Sequence, residues 1–261
     1  MQFKPNTQFD IRSGYDRSSI NSDYDNSFPL EDANFKLITS MDRFHISPNY
    51  NYTNGGASLK FGYQKIARDF QSAYPFQTQG ENTQIELNNR YVFGSKFYSV
   101  VGTLYQKQKA DYEGGQELSQ TDFFGNVVAV VSDRFRVNIG GRLNSHSSYG
   151  NQFTYSINPS FQLVQNDKQS LKFLGALSSA FIAPSLYQLY DPYSGNEDLE
   201  PEENTSFETG LEYVISDWNM SATYFYRNEN PSLIYDLSTY RYENAQEEAT
   251  YSGMEIQFSG S

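Results

Sequence analysis

The sequence predicts an all-β chain, an antiparallel up-and-down transmembrane β-barrel with about twelve strands present. Three observations carry that expectation. Aromatic and β-branched residues alternate with polar ones over most of the 261 residues, which is the period-2 signature of strands. Short turns and long polar loops take turns along the chain. Several alternating runs reach roughly 10–14 residues, against a usual globular mode of about 5–6. No window repeats apolar residues at helical spacing.

Taken in order, an edge strand is expected over 2–15, then a long polar loop over about 16–32. The turn TNGG (53–56) opens a strand over 57–64, and a polar loop follows at 71–81. In 84–93, Ile85, Leu87, Tyr91 and Phe93 oppose Gln84, Glu86, Asn88 and Arg90, ahead of the turn GSK (94–96). A loop over 109–119 and the turn SDR (132–134) lead to the clearest strand, 134–144. There Phe135, Val137, Ile139 and Leu143 face away from Arg136, Asn138, Arg142 and Asn144. After a loop at 145–151, residues 153–163 set Phe153, Tyr155, Ile157 and Phe161 against Thr154, Ser156, Asn158 and Ser160. The turn QNDKQ (165–169) starts a strand that runs into a long loop at 182–203. Strands 207–215 and 218–227 flank the turn SDW (216–218), and a loop over 230–248 precedes a last strand at 249–258. Asn, Asp, Gly and Ser in the short turns supply tight-turn chemistry. One trimmed edge and one elaborated edge fit an outer-membrane barrel, with short periplasmic turns and longer extracellular loops.

Composition explains why the interior is expected to be wet. Nineteen Lys and Arg against 31 Asp and Glu give a net charge of −12, and mean hydropathy is low although 16% of residues are aromatic. Aromatic content of that size argues against disorder, and no apolar run approaches the roughly 18 residues of a membrane helix. Consecutive polar positions such as Gln84, Glu86, Asn88 and Arg90 suit a water- or plug-filled lumen, since a dry core demands full pairing. Tyr91, Phe93, Trp218, Tyr224 and Tyr226 fall near strand ends, as interfacial girdles do. A large soluble sheet with one buried face is the alternative.

Catalysis is not expected. There is no Cys, which removes disulfides, thiolate metal sites and a Cys nucleophile. His45 and His146 stand alone, so no transition-metal centre is indicated, and nucleotide-binding and hydrolase fingerprints are absent. The acidic balance argues against nucleic-acid binding. Asp16, Asp23 and Asp25 share one expected loop; carboxylates on a flexible loop suit calcium, without matching an EF-hand, and an ordinary solvated acidic loop is the competing reading. Tyr187, Tyr190 and Tyr193 line another loop, with Tyr235, Tyr240 and Tyr242 on the next. Such rings can clamp a large amphipathic ligand, or pack the loops onto their neighbours. No cofactor beyond that candidate calcium ion is called for.

Residues 181–213 read FIAPSLYQLYDPYSGNEDLEPEENTSFETGLEY. Phe181 with Ala183-Pro184, the pairs Leu186-Tyr187 and Leu189-Tyr190, then Gly195-Asn196, Leu199, Pro201-Glu202, and Glu208 with Gly210 resemble a hallmark of TonB-dependent outer-membrane receptors. Leu233-Ile234, Tyr242-x-Asn244 and Gly253-x-Glu255 resemble that family's next elements, in order. The resemblance to the family extends over about 170–258 and is architectural before that. Within the family FIAPSLYQLYDPYSGNEDLEPEENTSFETG and RNENPSLIYDLSTYRYENAQEEATYSGMEIQF are cobalamin-receptor-like, and DIRSGYDRSSINSDYDNS resembles the Asp-rich loops of those receptors, which bind calcium. Read physically, Pro184 and Pro201 rigidify a loop, Gly195-Asn196 tolerate a left-handed turn, and Glu208 and Glu212 point opposite Phe207 and Leu211, towards the lumen.

The resemblance implies a barrel of about 22 strands closed around a plug, of which residues 1–261 are expected to form one partial barrel domain without plug or signal peptide. It further implies active uptake of a large scarce nutrient, of cobalamin or siderophore type, in the outer membrane of a Gram-negative bacterium. The expected partners are outer-membrane lipid, the nutrient, and a TonB-type energy-coupling protein acting through a plug outside this chain. A passive porin or structural barrel component, and less so a soluble β-rich binding module, are the alternatives.

Overall fold

A computed structural model describes residues 2–3, 8–23 and 34–260. Strands β1 (Gln2–Phe3), β2 (Phe9–Asp23), β3 (Lys36–Tyr52), β4 (Gly55–Gln71), β5 (Phe76–Val92) and β6 (Phe97–Ala110) open the chain. β7 (Gln116–Val130), β8 (Phe135–His146), β9 (Gly150–Gln165) and β10 (Gln169–Ile182) follow. A short helix α1 (Leu186–Tyr190) then precedes β11 (Glu202–Ile215), β12 (Trp218–Glu229), β13 (Leu233–Asp236), β14 (Arg241–Asn244) and β15 (Ala249–Gly260). β1 to β12 pair in sequence order, with β15 beside β12, in one 13-stranded antiparallel sheet. The two-residue β1 is marginal, so twelve strands carry the sheet; β13 and β14 form a separate hairpin in the last long loop. The sheet is open, with β1 and β15 at its two edges.

All five short turns fall where Asn, Asp, Gly and Ser cluster. Asn54 (φ 66°) and Ser216 (φ 49°) adopt left-handed backbone in two-residue connections, and Gly94 (φ 83°) does so after β5. The opposite edge differs from expectation. The loops expected at 71–81, 109–119 and 145–151 shrink to 72–75, 111–115 and 147–149, and β2 runs on to Asp23. Pairing continues through Phe70↔Phe76 and Ala110↔Gln116. The reason lies in what alternation records. It marks a contrast between an apolar and an aqueous face, and past the bilayer both faces meet water while the backbone ladder continues.

Two registered rows define the faces. Leu59↔Leu87↔Thr103↔Phe123↔Leu143↔Phe153 cross six strands on one side. On the other, Lys60↔Glu86↔Leu104↔Asp122↔Asn144↔Gln152 cross the same strands. The apolar side stays uncovered: Leu87, Phe123, Leu143 and Phe153 are all exposed. A soluble sheet would bury such a face, and an exposed apolar surface of this extent marks a lipid-facing wall. The only hydrophobic cluster among the described residues is small, with Leu186, Leu189 and Leu199 of the long loop seated on Leu118 of β7. Leu118 shares a face with Asp122, so the loop folds over the polar side of the sheet.

Candidate functional site

The site is built from the two long connections, 183–201 and 230–248. Pro184 is fully buried at the exit of β10. Ser185 caps α1 reciprocally: its Oγ accepts from Gln188 N at 3.3 Å, and Gln188 Oε1 accepts from Ser185 N at 2.9 Å. This capping box fixes a helix of one turn, and Leu186 and Leu189 anchor it on Leu118. Asp191 ends the turn. Its Oδ2 accepts from Tyr193 N, Ser194 N and Ser194 Oγ at 3.2, 2.9 and 2.8 Å. Gly195 packs so tightly there that a Cβ would lie 2.5 Å from Asp191 O and 2.8 Å from Leu189 O.

The second loop locks onto the first. Asn196 Nδ2 donates to Tyr242 O at 3.0 Å, Tyr242 N donates to Ser194 O at 2.9 Å, and Leu233 N donates to Glu202 Oε2 at 3.3 Å. Asn244 and Glu200 exchange two bonds, Glu200 N to Asn244 Oδ1 at 2.8 Å and Asn244 Nδ2 to Glu200 O at 3.0 Å. Tyr149, in the β8–β9 connection, donates to Leu199 O at 3.0 Å. Fragments that are separate in sequence, Gly195-Asn196, Glu202, Leu233 and Tyr242-x-Asn244, thus form one knot over the polar face.

The candidate tyrosines divide. Tyr190 packs on the Leu118 cluster, Tyr187 meets the Tyr242 ring edge-on at 5.9 Å, and Tyr235 meets Tyr242 at 5.2 Å. Tyr193 is 79% exposed and shares in none of these contacts. Burial beside Tyr187 and Tyr235 raises the phenol pKa of Tyr242. Between α1 and the polar face of β4 to β6 lies a cavity of about 330 Å³, lined by Gln64, Asn82, Gln108, Tyr112 and Tyr187 among others. Amides below and aromatic rings above can hold a ligand by hydrogen bonding and stacking.

The acidic candidates do not converge. Asp16 lies within β2, opposite Arg43, whose Nε donates to Asp16 Oδ2 at 3.1 Å. Asp23 ends the same strand seven residues on. Seven steps reverse the face and separate the two by roughly 23 Å, beyond the span of one ion. The loop expected to gather them is strand at these positions, and Asp25 lies outside the described residues. Among the described residues no three His, Asp or Glu side chains gather as a metal site would need. Glu208 and Glu212 do lie opposite Phe207 and Leu211, and Glu212 pairs with Lys172 of β10 at 2.9 Å.

Sequence reading passed over the buried polar group beneath this loop. Asp122, with no exposed surface, accepts from Asn144 Nδ2 and lies 3.4 Å from Arg142 Nη1, while the Arg142 guanidinium stacks 5.4 Å above Phe124. Alternation assigned Arg142 and Asn144 to the polar face, but no local pattern shows that they meet Asp122 across strands.

Comparison with known proteins agrees with this architecture. The family described as TonB dependent receptor-like, beta-barrel, matches residues 2–261. The vitamin B12 transporter BtuB of Vibrio cholerae is 28% identical over 244 residues, covering 89% of this chain and 38% of its own length. BtuB of Photobacterium profundum is 24% identical over 206 residues, covering 78% and 30%. Among solved structures, the siderophore receptor PirA of Pseudomonas aeruginosa superposes with a TM-score of 0.78 at 17% identity, over 98% of this chain and 51% of its own. The chain therefore spans less than two fifths of the curated relatives and about half of the solved one. From motif, fold and match together, the chain belongs to the TonB-dependent receptor-like β-barrel family, whose members are transporters and receptors.

Proposed function

We propose that this chain forms part of the wall and outer mouth of a ligand-gated transporter in a Gram-negative outer membrane. It would take up a large, scarce nutrient of cobalamin or siderophore type, energised by a TonB-type protein acting through a plug. The observation that carries this reading is the knot of loops 183–201 and 230–248 over the polar face. Its helix α1 roofs a partly aromatic, amide-lined cavity on the side where a lumen would lie. The exposed apolar face supports the membrane setting, and family membership favours a receptor over a passive porin or a soluble binding module. The relatives named vitamin B12 transporters support testing cobalamin as a ligand alongside ferric siderophores. Binding of cyanocobalamin and of ferric siderophores to the protein purified from outer membranes is the test. Saturable binding of one, with uptake abolished when the proton gradient is collapsed, is expected. Unsaturable, gradient-independent flux of small solutes would establish the porin instead.

A further inference from the structure

His146 stands alone in the sequence, and the structure buries it beneath the loop knot. It is the last residue of β8 and is 7% exposed. Eleven residues separate it from Phe135 at the short-turn end, roughly 36 Å along the strand and roughly 28 Å across a bilayer at a tilt of about 40°. That places it above the hydrocarbon, in the outer rim. Its Nδ1 accepts from Ser148 N at 3.2 Å and so closes the turn 147–149. Its ring lies 5.0 Å from that of Tyr149, whose hydroxyl donates to Leu199 O at 3.0 Å. Leu199 is the least exposed member of the apolar cluster that seats the 183–201 loop on β7. We infer that His146 is a proton-sensitive catch: neutral, it holds the turn that ties down the loop knot, and protonated by acid outside the cell, it lets the knot loosen.

The two ring nitrogens explain the switch. With Nδ1 as acceptor, the neutral imidazole carries its proton on Nε2, and a second proton turns Nδ1 from acceptor into donor. The bond from Ser148 N is then lost, because two N–H groups face each other. The proton has a way in. A cavity of about 170 Å³ lies beside the ring, walled by Gln106, Gln108 and Gln120 and by Ala183, Pro184 and Ser185 at the exit of β10. None of these six side chains carries a charge. On β7, Asp122 lies two residues from Gln120, the register partner of His146, and favours the imidazolium; Asp122 is itself paired with Arg142 of β8. From the turn, the Tyr149 phenol stays protonated, since burial and Tyr190 of the loop raise its pKa. Burial outweighs Asp122 and pushes the His146 imidazole below its ordinary 6.5. The released turn therefore takes up its proton at a higher pH than the held one. The hold is complete above about pH 6.5 and weakens as pH falls below it.

The uptake reading gives the catch its meaning, a ligand held at neutral pH and freed in acid, but the test needs no ligand. Amide protection factors, corrected for the intrinsic pH dependence of exchange, are measured in detergent at about pH 7.5 and about pH 5.5 on protein purified from outer membranes. In the wild type, protection of 183–201 is expected to fall several-fold, bounded by about tenfold per pH unit for one proton, while β8 and β9 keep theirs. His146→Asn puts an oxygen in the place of Nδ1, which accepts a backbone N–H two residues on and cannot titrate. Its loop should stay protected at both pH values. His146→Ala lacks the acceptor and should leave the loop poorly protected at both. Acid loosening that persists in His146→Asn assigns the response to the loop carboxylates and overturns the catch. Wild-type protection that is equal at the two pH values overturns it too, as does His146→Ala protected like the wild type at neutral pH. Should His146→Ala fail to fold, the wild type against His146→Asn decides alone. Gradient-independent flux of small solutes would overturn the receptor reading and leave this result standing.

Discussion

Gly195 has no room for a side chain, and that sets the cost of changing it. A Cβ would sit 2.5 Å from Asp191 O and 2.6 Å from Asp191 N, both backbone atoms of the turn that ends α1. Overpacking of this kind costs about 1–3 kcal/mol. Gly195→Ala should therefore open the 183–201 loop, read as faster proteolysis or amide exchange there with the strands unaffected. The sequence shows why a glycine was noticed and hides why it is needed. Gly195-Asn196 read as a left-handed turn, but among the described residues the left-handed non-glycine positions are Asn54, Ser216 and Tyr240. Close approach of backbone segments from the same loop leaves no mark on a one-dimensional pattern. Tyr242 gives a second test at this scale. Burial raises its pKa above the ordinary value of 10.0, so the unfolded hairpin ionises first. Its contribution is complete below about pH 10 and is lost as pH rises through the raised value. Alkaline titration should show late phenolate ionisation accompanied by loosening of 230–248, and Tyr242→Phe should remove that loosening while Tyr112 and Tyr149, also raised by burial, still ionise late. Co-titration with the exposed tyrosines would refute the assignment.

At the scale of elements, the two long loops behave as one unit because their hydrogen bonds are exchanged rather than internal. Asn244 both accepts from Glu200 N and donates to Glu200 O. Asn244→Ala removes both bonds, which lie at the surface, at a cost of about 0.5–1.5 kcal/mol each. Exchange protection should fall in both 183–201 and 230–248, although only one carries the substitution. Protection lost in 230–248 alone would mean that the loops are independent. Strands and short turns were legible in sequence wherever one face met lipid: 134–144 and 153–163 became β8 and β9 with only their ends extended. Legibility failed beyond the bilayer, where Asp16 and Asp23 looked like loop acids and are strand residues on opposite faces. It failed again for the knot, because bonds such as Asn196 to Tyr242, 46 residues apart, depend on how the loops fold back. The motif was visible; the contact between its parts was not.

For the whole molecule, the decisive quantity is which medium each face of the sheet meets. A single-layer sheet with five buried apolar residues among those described has too little interior for hydrophobic burial to fold it in water. Its apolar side must instead be stabilised by lipid, and this makes positions on the two faces respond in opposite ways. Ile139 lies on the apolar face of β8, in register with Val127 and Ile157, four residues from the short-turn end and so roughly 10 Å into the bilayer at a tilt of about 40°; Asn158 lies on the polar face of β9, opposite Asn138. Ile139→Arg places a cation near the bilayer midplane, which costs about 2–4 kcal/mol in a membrane barrel. Asn158→Arg places the same side chain in a wet lumen, where it remains hydrated and costs little. Urea titrations of the protein in phospholipid vesicles should therefore separate the two variants by that margin. In a soluble protein whose apolar face is covered by another domain, Ile139→Arg would instead be rescued by removing that domain, and vesicles would make no difference. A loss of stability that appears only in lipid, and only for Ile139→Arg, identifies the outer face as the one the bilayer covers.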